Sequence, residues 1–168
     1  METTCSLNHF HYFEKILNEI FSDTSEEKLI ERLIKCSDLV HDDVLCVAVC
    51  LAEKRSVREV RGRVTQKRRN IVDLVGERID DNSTMSALIV RFYEVTCGTR
   101  SSSCEFVMAD VNYCSCDYFQ KKVIDDMSEP LCAHILAVKL AKVMNTIVED
   151  DTDQEALCKI ITNSFVSL

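Results

Sequence analysis

Apolar residues recur at helical spacing near the start of the chain. Phe10, Phe13, Leu17 and Ile20 fall on one face, which predicts an amphipathic helix. Asp23 with Glu26, and Thr24 with Glu27, have capping-box spacing ahead of LIERLIKC. A second helix is expected there, with Ile30, Leu33 and Ile34 as its apolar stripe. From Val44 to Ala52 the run has no polar interruption; its periodicity fits a buried helix or a buried strand, and we read it as helix. The period changes at Leu88. LIVRFYEV is rich in β-branched and aromatic residues, and a turn-like GTRSSS separates it from CEFVM, the pattern of a β-hairpin. After Pro130, which suits a first helical turn, Leu136, Leu140, Val143 and Ile147 return to helical spacing. Ala137, Ala141, Met144 and Val148 form an adjoining row, with Lys139, Lys142 and Asn145 opposite. So wide a stripe exceeds what one hairpin covers, and the second row is a candidate partner-binding face. Thr152 and Glu155 have capping-box spacing at the start of a terminal helix, after the acidic EDDTD.

These elements make an α+β protein in three stretches. Residues 1–87 form a mainly helical region, 88–149 a hairpin followed by a helix, and 150–168 a short C-terminal helix. At 168 residues, two large domains are excluded. No apolar run is long enough for a membrane span, and the N-terminus lacks the basic and apolar regions of a signal peptide. The ten cysteines are therefore expected in a reducing compartment as thiols rather than disulfides. Only two pairs have ligand spacing; Cys5, Cys36, Cys46, Cys50, Cys97, Cys104 and Cys158 are read mostly as small buried hydrophobes.

Those two pairs carry the chemistry. Cys114-Ser115-Cys116 and, fifteen residues on, Cys132-Ala133-His134 supply three thiolates and an imidazole, a set that closes a tetrahedral shell around Zn(2+). Cys132 lies where a helix is expected to begin, and the free N–H groups of a helix N-terminus favour the thiolate. Four protein donors leave no open position for water, so the zinc is expected to be structural. No P-loop is present, and His9, His11 and His41 sit in no nucleophile motif. We expect no enzymatic activity.

The C-x-C…C-x-H-x-x-A pattern resembles SWIM-type zinc fingers. The stretch from Tyr113 to Met144, with YCSC and LCAHILAVKLAKVM, is similar to the SWIM subunit of Shu complexes. That resemblance implies a nuclear, non-enzymatic accessory protein in homologous-recombination DNA repair. It would pair with a RecA-like recombinase paralogue and promote assembly or stability of recombinase filaments on single-stranded DNA. Two rivals use the same finger: a SWIM-type substrate adaptor of a ubiquitin ligase, and a stand-alone nucleic-acid-binding zinc finger.

Charge is segregated along the chain. Lys54, Arg55, Arg58, Arg61, Arg63, Lys67, Arg68 and Arg69 are opposed only by Glu59, so the segment carries +7 and the remainder −15 within a net charge of −8. Such a density can track a phosphate backbone without reading sequence, which makes these eight residues candidate contacts to single-stranded DNA. The segment lacks aromatic residues for base stacking. Its two basic clusters also have the spacing of a bipartite nuclear import signal.

Overall fold

The computed structural model describes residues 13, 15–22, 28–65, 87–97 and 104–166. Phe10, the capping-box residues 23–27, the loop 98–103, Cys5, His9, His11, and Lys67, Arg68 and Arg69 lie outside the described residues. The elements run α1 (residues 15–20), α2 (Leu29–Ser37), α3 (Asp42–Glu53), β1 (Val57–Thr65), β2 (Ala87–Thr96), β3 (Cys104–Met108), β4 (Tyr113–Cys114), α4 (Ala133–Val143), β5 (Val148–Thr152) and α5 (Gln154–Val166). A 3-10 turn (Ala109–Val111) and a π-helical segment (Phe119–Asp125) lie between them.

The five strands form one mixed sheet in the order β4-β3-β2-β1-β5. The expected hairpin is its centre: β2 and β3 pair antiparallel with Tyr93 opposite Val107 and Thr96 opposite Cys104. Two strands were hidden in charged sequence. β1 pairs antiparallel along the length of β2 and parallel with β5, so the basic segment is in large part a strand, and the acidic break before the terminal helix is another. The sheet therefore joins residues on both sides of the expected boundaries at 87 and 149.

Strand alternation gives the sheet two buried faces. Val57, Tyr93, Val95 and Val107 pack with α4 and α3 in the main core. Val60, Phe92 and Phe106 point the other way and are covered by Leu157 of α5, with the Phe92 and Phe106 rings 4.6 Å apart. A helix held between a sheet and another helix buries most of its circumference, and Lys142 alone on α4 is exposed. Accordingly Ile135, Leu136, Ala137, Val138, Leu140 and Ala141 are all fully buried.

This overturns the candidate partner face. Ala137 and Ala141 are interior, Met144 caps the end of α4, and Val148 belongs to β5, where it is 44% exposed. The helix expected to continue to 148 stops because Asn145 takes the left-handed conformation, φ 52°, and the Thr146 N–H closes back on the Ala141 carbonyl at 3.0 Å. Asparagine tolerates that conformation better than most residues. α3 ends the same way: Arg55 has φ 53°, and the Ser56 N–H donates to the Leu51 carbonyl at 3.1 Å. The helix start is also later than Pro130 suggested, with Cys132 as its N-cap. At α5 the cap is Asp153, whose Oδ1 accepts from the Ala156 N–H at 2.8 Å, while Thr152 closes β5.

Two smaller expectations change. Ile30 and Ile34 are 74% and 60% exposed, and α2 instead buries Arg32 and Cys36; the Arg32 guanidinium is bound to the Ile20 carbonyl at the end of α1. Among the thiols outside the motif, Cys36 alone of those described is fully buried, and burial pushes it up to about 11. Cys46, Cys50, Cys104 and Cys158 are exposed and Cys97 is half-buried.

Gly62 on β1 marks the closest approach of α5. A methyl group there would lie 2.6 Å from Cδ2 of Leu157, itself fully buried among Val60, Phe92 and Phe106. Gly62→Val is expected to lower stability by about 2 kcal/mol through overpacking. The loss should be smaller in Gly62→Val Leu157→Ala than the sum of the single effects, as a double-mutant cycle of melting curves would read.

Candidate metal centre

Four donors converge at the main core, to which Cys114, Cys116 and Cys132 all belong. Cys114 ends β4 and does not follow directly from β3. The chain first turns through Ala109–Val111 and a left-handed Asn112, then pairs back so that Cys114 faces Val107. The turn is fastened by the Ser115 N–H to the Phe106 carbonyl and by the Phe106 N–H to Ser115 Oγ, both 2.9 Å. Cys116 follows two residues on, and the π-helical segment carries the chain round to Cys132 and His134 at the start of α4.

The ligating atoms of Cys114, Cys116, Cys132 and His134 all lie within 4.8 Å of one another, and the three cysteines are buried. A tetrahedron with zinc–sulfur bonds of about 2.3 Å and a zinc–nitrogen bond of about 2.0 Å has edges of about 3.5 to 3.8 Å. Cys114 Sγ and His134 Nδ1 are 3.6 Å apart, so this edge has the length a zinc shell requires. All four residues named from the sequence are thereby brought together.

The electrostatics suit a cation. Hydrogen bonds from Cys114 and then Cys132 hold the Cys116 thiol far below its ordinary value, helped by the Phe119 N–H 3.3 Å from its sulfur. Cys114 is pushed far up by its hydrogen bonds to Cys116 and Cys132 and by burial. Cys132 is favoured as a thiolate by Cys114, but Cys116 and burial outweigh this and push it up to about 12. Three buried sulfurs without a cation must share protons; a divalent ion replaces those protons and neutralises the cluster.

Residues 93–143 match the SWIM zinc finger family. A SWIM zinc finger domain occupies this part of the chain. The matched span takes in β2 from Tyr93, β3, β4 and α4, with all four donors; neither a curated protein nor a solved structure matches the chain. The SWIM finger is the ligand-bearing half of a larger sheet, since β1 and β5 lie outside the match. Its zinc would be held by Cys114, Cys116, Cys132 and His134 in a closed, structural site.

The basic segment is arranged differently from a free cationic patch. Arg58 bonds Glu94, and Asp150 at 3.0 Å. Arg61 bonds Glu59, and Glu149 at 2.9 Å. Two of the eight cations thus tie the acidic β5 to the sheet. Buried Glu59 also accepts from the Tyr93 hydroxyl at 3.0 Å and pairs with Arg91 at 3.2 Å. Burial opposes its ionisation, but the bonds from Arg61 and Tyr93 prevail and hold its carboxyl below the usual range. Lys54 and Arg55 are exposed at the end of α3, and Arg63 lies on β1. His41 is the N-cap of α3, its ring accepting from the Asp43 N–H. Among the described residues, no helix is long and apolar enough to cross a membrane.

Sequence reasoning passed over Cys97. Its sulfur lies 2.9 Å from Nε2 of His134, a contact between residues 37 apart that no spacing rule marks.

Proposed function

We propose that the chain is a non-enzymatic, zinc-stabilised subunit of a nuclear Shu-type complex. In this reading it pairs with a RecA-like recombinase paralogue and promotes assembly or stability of recombinase filaments during DNA repair. The reading is supported by the four-donor centre that YCSC and CAH form within a SWIM zinc finger, taken together with the resemblance of YCSC and LCAHILAVKLAKVM to Shu-type SWIM subunits. A shell of three thiolates and one imidazole leaves no position for substrate, which supports scaffolding over catalysis.

Because α4 is interior, a partner would use other surface. Val47 and Tyr118 leave exposed apolar area on α3 and the segment after Cys116, and both line a cleft of about 490 Å³ that reaches Cys132 and His134. Single-stranded DNA, if bound by this chain itself, would meet Lys54 and Arg55 rather than the paired Arg58 and Arg61.

Mass spectrometry of the tagged native complex tests the reading. A RecA-like paralogue recovered in stoichiometric amount is expected. Ubiquitin-ligase subunits in its place would favour the adaptor, and nucleic acid without a protein partner would favour a stand-alone finger.

A further inference from the structure

The imidazole at the metal centre has two distinct nitrogens facing different neighbours. Nδ1 lies 3.6 Å from the Cys114 sulfur and so belongs to the donor set. Nε2 points away and lies 2.9 Å from the Cys97 sulfur. A neutral imidazole has one lone pair and one N–H. If Nδ1 gives its lone pair to the metal, Nε2 must carry the hydrogen, and that N–H then requires an acceptor because the ring is half-buried.

Cys97 is held in position to be that acceptor. It follows β2 directly, and the preceding Thr96 N–H donates to the Ser56 carbonyl at 3.0 Å, which ties the end of the strand to the residues after α3. Its side chain packs against the main core. The sulfur is therefore fixed by the sheet, whereas His134 is fixed by α4, and the contact joins the two.

We propose that Cys97 is a positioning residue for the zinc site: its sulfur accepts the Nε2–H of His134, selects the tautomer with a free Nδ1 lone pair, and locks the ring toward the three thiolates. It is not a fifth ligand, because it meets the ring on the nitrogen away from the cluster. Acceptors of this kind behind a ligating histidine orient the ring, and their loss weakens metal affinity by about 10- to 100-fold. The inference rests on the zinc reading above, and the test separates the two.

The zinc-loaded full chain is to be examined by long-range 15N–1H NMR. Zinc affinity is to be measured by competition with a chromophoric chelator for the unmutated chain, Cys97→Val and Cys97→Ser. The expected spectrum has His134 metallated at Nδ1 and protonated at Nε2. Cys97→Val, which removes the acceptor at similar volume, is expected to weaken zinc binding about tenfold. Cys97→Ser, which restores an acceptor, should recover most of that loss; a purely space-filling role would give the opposite order, since valine fills the site and serine does not.

Metal on Nε2 with the proton on Nδ1 would overturn the role of Cys97 while leaving zinc binding intact. Equal affinity in Cys97→Val and the unmutated chain would do the same. Failure of the unmutated chain to take up zinc would overturn the zinc reading itself, and this inference with it. The NMR measurement uses no substitution, so it can overturn the tautomer assignment, and the proposal with it, even where Cys97→Val does not fold.

Discussion

Removal of zinc is expected to bring the chain to the edge of unfolding. Structural zinc contributes on the order of 10 kcal/mol to small zinc modules, while a whole domain commonly has a net stability of about 5 to 15 kcal/mol. Here the ion would cross-link β4 and the turn after it to the start of α4, the helix around which the main core is built. The purified protein should contain about one zinc per chain by elemental analysis. Cys114→Ser, Cys116→Ser, Cys132→Ser and His134→Ala should each lose it and melt well below the unmutated protein. The fastest loss of hydrogen-exchange protection is expected from β4 to the first turn of α4, with the β1–β2 pairing lost last, because none of the four donors lies on either strand. Full metal occupancy in Cys132→Ser His134→Ala would sink the site as drawn.

Ala137→Leu should be the most damaging substitution outside the ligands. The residue is fully buried on a helix enclosed by α3 on one side and the sheet on the other, so three added carbons have no surface to escape to. Overpacking of this kind costs about 3 kcal/mol at the upper end of its usual range. For a chain of this size, a melting temperature roughly 6 to 12 °C lower is expected. Zinc content per folded molecule should not change, because Ala137 lies one turn beyond His134. Recovery of a protein partner, normalised to folded chain, should also stay constant. A normal melting curve with reduced partner recovery would return α4 to the interface and contradict its interior placement.

Most of the local structure was legible because its causes are local. The uninterrupted apolar run at Val44 forms α3, and the β-branched and aromatic stretches form β2 and β3. The ligand pairs were legible for the same reason: a C-x-C and a C-x-H each commit two donors within one turn of chain, and few other arrangements of those residue types have a use. β1 and β5 were not legible. VREVRGRVT and VEDDT carry charges where a strand is usually apolar, and part of that charge is paired between the two strands. Arg58 finds Asp150 and Arg61 finds Glu149 across about 90 residues of sequence. Read alone, the first is a basic segment and the second an acidic break.

The sequence by itself determined the donor set, the helix and hairpin on either side of it, and the α+β class, since each depends on residues within a few positions of one another. Tertiary structure alone decided which surface is inside. The two apolar rows are equivalent in sequence, and only the placement of α3 opposite the sheet buries Leu136 and Leu140 of one together with Ala137 and Ala141 of the other. It also decided which charges are spent, pairing arginines of β1 with acids of β5, and which cysteine serves the site, placing Cys97 behind His134. These are contacts between distant parts of the chain, and pairing at that range is set by the packing of whole elements, which no local spacing encodes.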